Sequence, residues 1–299
     1  MLSNHADYNK VVPLRVAAIS FLNPAPLLYN FEHEPTASLL RAHYDVHYTT
    51  PANCAAELLN GTADLGLIPI AALTPELAIV PGCTIASLNE VRSILLLVKN
   101  PERLSNDAAL RAVRTVAADA ASRSSQAYAH ILFEHFHQTK PAFVEHLADP
   151  IPMLTQADAA LLIGDPALLA REHREAIEAA HPGLLWLDLA TVWRELTGLP
   201  WVAAVWAVRP EALDSAGVTA ARLTADLAMS RDNGLAHIDR LVQEWTPRLE
   251  VPAATIRAYL TENIHYMLDA ECVKAIEVFR ELAAGIGVLP ELEKLHFLS

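Results

Sequence analysis

Ser20-Phe21-Leu22-Asn23-Pro24-Ala25-Pro26 follows an apolar run, Leu14–Ile19, and precedes a segment with helical spacing. The run is short and bounded by turn residues, which predicts a buried strand. Asn23 stands where a helix N-cap belongs and Pro24 at the first helical position. An asparagine cap satisfies an orphan N–H, and proline has no N–H to leave unpaired there. A strand that turns directly into a helix start is where open α/β folds place ligands. By itself the stretch fits a well-capped first helix as readily as a ligand contact, so the rest of the chain must decide.

The next segments repeat the pattern. Asp45–Thr49 predicts a second strand, Thr50-Pro51 starts a helix by the same cap-and-proline logic, and Asn60-Gly61 ends it with glycine as the left-handed cap. Asp64–Ile70 is a third apolar run bounded by turn residues. Strands alternating with helices at this spacing make a parallel sheet with crossovers. Cys83–Ser87 and Val91–Val98 predict two further strands, separated by Asn89-Glu90. The polar stretch Lys99–Arg114 marks a shift in composition and a candidate crossing between domains.

A second unit follows, with strands at Thr115–Ala118, Ala159–Ile163 and Leu184–Leu189 and an amphipathic helix over Ser122–Gln138. Gly164-Asp165-Pro166 opens a helix to about Ala180, Thr191–Thr197 is a helical turn, and Trp201–Val208 is a very apolar strand leading back. From Pro210 on, apolar residues recur at three- and four-residue spacing, which predicts helix throughout. The fold class is therefore α/β with two lobes, the second inserted into the first, and a helical C-terminal segment. Residues 11–95 plus 206–299 form lobe one and 96–205 lobe two, with crossing strands near 95 and 205 and a ligand cleft between the lobes. Residues 1–10 read as a disordered extension.

With 299 residues, 53% of them apolar and 19% charged, the chain is globular. A net charge of −13 argues against a nucleic-acid surface, which needs a basic stripe. It also requires any anionic ligand to find local positive potential. Cys54, Cys83 and Cys272 are far apart and form no C-x-x-C pair, which predicts reduced thiols and no zinc ribbon. Neither a secretory signal nor an apolar run of about 18 residues is present, so a cytoplasmic protein outside the membrane is expected, as a monomer or homodimer.

The 13 histidines include no H-E-x-x-H; His135 and His137 face different sides of a helix, and His130 and His137 lack a third ligand. G-x-S-x-G, a P-loop lysine and G-x-G-x-x-G are all missing. No metal and no cofactor are expected. Small polar residues instead collect at strand-to-helix junctions: Ser20 and Asn23 at the first, Ser122, Ser124 and Ser125 near residue 120, and Asp165 at a third. A helix start offers free N–H groups and partial positive charge, and serine hydroxyls add donors. On an acidic chain that is a means of holding a carboxylate, with Arg123 and Arg92 available as formal charges. Asp165 would repel an anion and reads as a structural cap.

These segments together resemble the chorismate dehydratase family of the futalosine-dependent menaquinone pathway. The resemblance rests on Ile19-Ser20-Phe21-Leu22-Asn23 with Pro26-Leu27, on Gly61-x-x-Asp64-Leu-Gly-Leu-Ile-Pro69, and on Val91-x-Ser93 before an apolar strand. It continues through Asp119-x-x-Ser122-Arg123-Ser124-Ser125, Leu161-Leu-Ile-Gly-Asp165-Pro-Ala-Leu168, and Asp188-Leu-x-x-x-Trp193 with Thr197-Gly-Leu-Pro200. The cysteine- and proline-rich opening of the sister naphthoate synthase family is absent. Two positions depart from the family pattern: Asn89-Glu90 replace a Gly-Pro before Val-x-Ser, and Ser-Arg-Ser-Ser replaces Ser-Arg-Thr-Ser. The first puts an extra carboxylate near the expected cleft; the second keeps the hydroxyl.

The resemblance implies a type 2 periplasmic-binding-protein-like fold and dehydration of chorismate, a dianion, to 3-[(1-carboxyvinyl)oxy]benzoate. Loss of water makes an aromatic ring, and the proton removed is vinylogous to the ring carboxylate, so a carbanion spreads onto it without metal or cofactor. Ser124, Ser125 and the N–H groups of their helix start suit that carboxylate, with Arg123 and Ser20 nearby in the motifs and Ser93 holding the other carboxylate or the hydroxyl. Asn23 is the expected catalytic residue, orienting the leaving hydroxyl or the substrate's own side-chain carboxylate as the base. The main alternative is a non-catalytic binding protein for a small aromatic carboxylate on the same fold; an effector domain is another, but no DNA-binding helix pair precedes the first strand.

Overall fold

The structure, a computed structural model, describes residues 12–299, so the expected extension over 1–10 lies outside the described residues. The chain opens with β1 (Leu14–Ile19), α1 (Ala25–Glu32), α2 (Thr36–Leu40), β2 (Tyr44–Thr49), α3 (Pro51–Asn60) and β3 (Leu65–Pro69). β4 (Ala78–Ser87) and β5 (Ile94–Lys99) lead to α4 (Asn106–Ala112), β6 (Thr115–Asp119) and α5 (Ser124–His130), which runs on as a π-helical turn over Ile131–Phe136. Then come β7 (Ala142–His146), α6 (Pro150–Gln156), β8 (Ala159–Ile163), α7 (Gly164–Glu172), α8 (Arg174–Ala180), β9 (Leu184–Asp188) and α9 (Leu189–Thr197). β10 (Trp201–Val208) precedes α10 (Pro210–Ala216), α11 (Ala220–Ala236), α12 (Ile238–Leu249) and α13 (Ala253–Ala258). A π-helical turn over Tyr259–Asn263 and α14 (Ala270–Gly285) complete the helices.

The strands form two five-stranded sheets, ordered β2-β1-β3-β10-β4 and β7-β6-β8-β5-β9. In the first, β1 runs parallel to β2 and β3, and β10 returns antiparallel beside β3. The second repeats the plan, with β6 parallel to β7 and β8 and β5 antiparallel beside β8. Both sheets therefore aim the C-terminal ends of their parallel strands at the space between them, where open α/β sheets bind ligands. All five residues of β3 and of β8 are buried, as continuous apolar runs in central strands should be.

The strands near 95 and 205 do not themselves span both lobes. Among the described residues β5 pairs only with β8 and β9, and β10 only with β3 and β4. The chain passes between sheets in the segments before them, 88–93 and 189–200. Lys99–Arg114, expected as a domain crossing, stays beside the second sheet and carries α4, because its polarity reports exposure and not a change of lobe. Asp188 organises both passages. It caps α9 through the N–H groups of Ala190 (3.1 Å) and Thr191 (3.2 Å), and accepts Val91 N–H (3.2 Å) and Arg92 N–H (2.6 Å). Arg92 adopts φ +66 at that bend.

Thr50 Oγ1 accepts Asn53 N–H at 3.3 Å, and Gly61 ends α3 at φ +79, as the sequence predicts. The C-terminal part is not helical throughout: helix ends at Gly285, residues 286–299 are turns and extended chain, and 264–269 link two helices without forming one. Ile79 N–H donates to His296 O (2.8 Å), Leu298 N–H to Ile79 O (2.9 Å), and His265 pairs with Ala86, so short extended segments cover the edge at β4. Among the described residues no helix is long and apolar enough to cross a membrane.

Candidate active site

A cleft opens between the two sheets where β1, β3, β6 and β8 end. Ile19, Phe21, Pro69, Ile85, Ile94 and Ile163 give it apolar walls; Asn23, Ser93, Ser122, Arg123, Ser124 and Ser125 are its polar groups. Its empty space totals about 460 Å³ with the mouth included. Leu22 N–H reaches Asp165 Oδ1 and Ala71 N–H reaches Ser124 Oγ from one lobe to the other, so the lobes are closed on the cleft, and a ring-sized ligand enters when they part. A more voluminous hollow of about 1440 Å³ lies on the far side of lobe one between α1, β2 and α12; two of its three arginines, Arg41 and Arg240, are paired with Glu34 and Glu244, and the third, Arg248, stacks over Trp245.

The turn after β1 does not form the cap that the sequence suggests. α1 begins at Ala25 with Pro24 as its flanking residue and no side-chain cap bond. Asn23 Oδ1 is buried without a hydrogen-bond partner, and its amide lies against the Tyr259 hydroxyl. The Asn23 carbonyl accepts the Tyr266 hydroxyl at 3.0 Å, which fixes the backbone while leaving the side chain to the cleft. A buried acceptor with no partner costs free energy, commonly about 1–3 kcal/mol, unless a ligand or water satisfies it.

Ser93 lies just before β5. Its hydroxyl accepts the Tyr259 hydroxyl at 2.7 Å, and its carbonyl accepts Gly164 N–H at 2.8 Å. Burial pushes the Tyr259 hydroxyl far above its ordinary pKa, so it keeps its proton and donates; the Ser93 proton is then free to point into the cleft. Across the cleft, α5 starts at Ser124. Among the described residues the N–H groups of Ser124 and Ser125 have no backbone acceptor, as the first N–H groups of a helix should not. Ser125 is buried and lines the cleft, and Ser122 Oγ is buried without a partner. Ser124 Oγ is already engaged, accepting Ala71 N–H (3.2 Å) and donating to Ala203 O (3.1 Å), so it ties lobe two to lobe one.

Arg123 is exposed at the cleft mouth and forms no ion pair with any described residue; it is the one formally charged residue among the lining groups. Ser20 is not brought to this cleft. Its side chain is exposed and faces an adjoining hollow with Tyr48, Trp245 and Arg248, while its N–H bonds Thr49 O. Arg92 sits at the back of the passage, outside the lining. The carboxylate that the sequence places near the cleft is elsewhere: Glu90 pairs with Arg171 at 2.7 Å, and Arg171 reaches Asp188 at 3.0 Å. Asp165 does not cap its own helix either; Oδ1 accepts Leu22 N–H from the opposite lobe at 2.9 Å.

Among the described residues, His265, Asp269 and Cys272 stand close enough together to hold a metal ion. Their bonding is internal, however: Asp269 caps α14 through Cys272 N–H (2.8 Å) and takes His265 Nε2 (2.9 Å). Cleft chemistry therefore falls to neutral donors, a helix start and one arginine. Tyr259 and Tyr266, which sequence reasoning missed, support the site from a segment distant in sequence, and no local pattern marks them.

A family model described as menaquinone biosynthesis matches residues 14–285. The chorismate dehydratase of Thermus thermophilus is 27% identical over 258 residues, covering 83% of this chain and 89% of that protein. Among solved structures, a protein from Archaeoglobus fulgidus aligns with a TM-score of 0.69 at 16% identity, over 93% of this chain and 98% of its own. The periplasmic aliphatic sulphonate binding protein of Escherichia coli aligns at 0.62 and 14% identity, over 93% and 94%. These likenesses show the two-lobed periplasmic-binding-protein-like fold. The match over nearly the whole described chain places the protein in the menaquinone biosynthesis family.

Proposed function

We propose that this protein is a chorismate dehydratase, a hydro-lyase that converts chorismate to 3-[(1-carboxyvinyl)oxy]benzoate and water. The observation that carries the reading is a closed, apolar-walled cleft whose polar atoms wait for partners: Asn23 Oδ1, Ser122 Oγ and the helix start at Ser124-Ser125. Apolar walls suit a carbon ring, and neutral donors suit a carboxylate whose charge grows during reaction. In the elimination, the C–H bond at the ring carbon bearing the enol ether breaks, and its electron pair spreads through the ring double bond onto the carboxylate. The pair then returns to form the new ring double bond as the neighbouring hydroxyl leaves with a proton. Each donor that tightens on that carboxylate in the transition state lowers the barrier.

Within this reading Ser125 and the N–H groups of residues 124 and 125 hold the ring carboxylate, and Arg123 attracts the dianion at the mouth. Ser93, primed by Tyr259, donates to the leaving hydroxyl or the second carboxylate. Asn23 faces the reacting carbons from lobe one and orients the leaving group or the substrate's side-chain carboxylate, which takes the proton. Ser124 contributes mainly its N–H, since its hydroxyl bridges the lobes, and Ser20 serves outside the cleft. We place the enzyme in the cytoplasm, acting as a monomer or homodimer without cofactor. Glu90, paired with Arg171, adds no carboxylate to the cleft lining that would set this chain apart from a dehydratase. Incubating the purified chain with chorismate and following both compounds by chromatography tests the proposal; chorismate bound but unchanged would reject it.

A further inference from the structure

Asp165 accepts a hydrogen bond from the turn that carries Asn23. α7 opens at Gly164 with φ +60, and Gly164 lies so close to Phe21 that a Cβ there would fall 2.5 Å from the ring. Gly164 N–H donates to Ser93 O at 2.8 Å, and the next residue, Asp165, accepts Leu22 N–H at 2.9 Å. Leu22 belongs to lobe one and Asp165 to lobe two, so this bond exists only while the lobes are closed. From the other side Tyr266 holds the Asn23 carbonyl. Among the described residues Asp165 has no cationic partner; Arg171 is engaged with Glu90 and Asp188, and Arg174 with Glu178.

We propose that Asp165 is a positioning residue that locks the Phe21–Asn23 turn across the closed cleft and so sets where the Asn23 amide meets the reacting carbons. This inference rests on the dehydratase reading above. Asp165 does not line the cleft itself, and it acts through Leu22 N–H. Its surroundings make the lock sensitive to protons. Burial lifts its pKa to about 6, only partly offset by the Leu22 N–H. Tyr259 faces it but stays protonated. Glu172, His173, Glu175 and Glu262 on the neighbouring helical segments are exposed, and Lys99 lies at the opposite end of β5, paired with Leu184 on β9. Closing the lobes, and still more binding a dianion beside it, therefore favours the protonated carboxyl. Because the closed state carries the raised pKa, closure is favoured at low pH and weakens as pH rises through about 6.

The test uses Asp165→Asn, which keeps the acceptor and removes the charge, and Asp165→Ala, which removes both. Chorismate turnover from pH 5 to 8.5 and the radius of gyration from small-angle scattering are measured on the full chain. Asp165→Ala should lose about 10- to 100-fold in kcat/KM, mostly in kcat. Asp165→Asn should stay within about threefold of wild type at pH 6 and lack the decline in kcat/KM that wild type shows as pH rises from 5 through about 6. The wild type should expand between pH 5 and 8 and the asparagine variant should not. Asp165→Ala within twofold of wild type, Asp165→Asn as impaired as Asp165→Ala, or a wild-type pH response retained by Asp165→Asn overturns the proposal. If Asp165→Ala does not fold, the asparagine profile alone decides. A wild type that turns over no chorismate rejects the dehydratase reading instead, and scattering still judges the lock.

Discussion

Gly164→Ala isolates the closed state from the folded state. Gly164 sits at φ +60, and an added Cβ would lie 2.5, 2.7 and 2.9 Å from three ring atoms of Phe21 across the cleft. Two costs follow, and they fall on different equilibria. The left-handed backbone costs an alanine about 1–2 kcal/mol whether the lobes are open or closed, so it lowers the melting temperature. The overlap with Phe21 costs about 1–3 kcal/mol, and parting the lobes relieves it. That second cost appears as a loss of about 5- to 150-fold in kcat/KM for chorismate, beyond any loss of folded protein. Introducing Gly164→Ala into a Phe21→Ala background should then change kcat/KM less than twofold, because the ring is gone. A single variant that melts lower but keeps wild-type kcat/KM would refute the reasoning, since the contact would not belong to the working state.

Three further outcomes follow from the same geometry. Asn23→Ala should lower kcat by about 100- to 1,000-fold while leaving the melting temperature unchanged or raised, because it removes a buried acceptor with no partner; near-normal turnover would end the catalytic assignment. Tyr259→Phe should cost about 1–2 kcal/mol in denaturant unfolding and about tenfold in kcat/KM, through loss of the donor to Ser93 Oγ; unchanged turnover would mean that Ser93 needs no priming. Asp64 is raised by burial but lowered more by the hydrogen bonds and charge of Arg15, and its net pKa is depressed. Its contribution is therefore present above about pH 4 and lost as pH falls through the lower folded value. Asp64→Asn should cost about 1 kcal/mol at pH 7 and less at pH 2.5, and an equal cost at both would exclude the pair as its cause.

The strand runs that are wholly apolar were legible to within a residue: Ala159–Ile163 and Trp201–Val208 are strands with those limits, and Thr50 and Gly61 bracket α3. β7 escaped because only one of its faces packs, leaving Ala142, Val144 and Glu145 exposed in a segment without clean alternation. The site was legible where it is local, at the Ser122–Ser125 helix start and at Asn23, which both line the cleft. It was not legible where it is tertiary. Nothing in the sequence relates Tyr259 to Ser93 or Asp165 to Leu22, because those contacts depend on how the C-terminal helices and the second lobe dock. Motif membership proved a poor guide to role: Asp64 ties β1 to β3, Trp193 donates to Pro200 O at 3.0 Å, and Asp188 anchors the passages between lobes. The failed cap at Asn23 is the informative miss, since an asparagine that caps no helix keeps its amide for something else.

The most direct measurement is a quantitative mass balance on the full-length chain, dialysed against EDTA, with chorismate as the only added reactant. The account predicts catalytic turnover in which each chorismate consumed appears as one 3-[(1-carboxyvinyl)oxy]benzoate. Chorismate that is recovered intact, or that yields a different product, would contradict it.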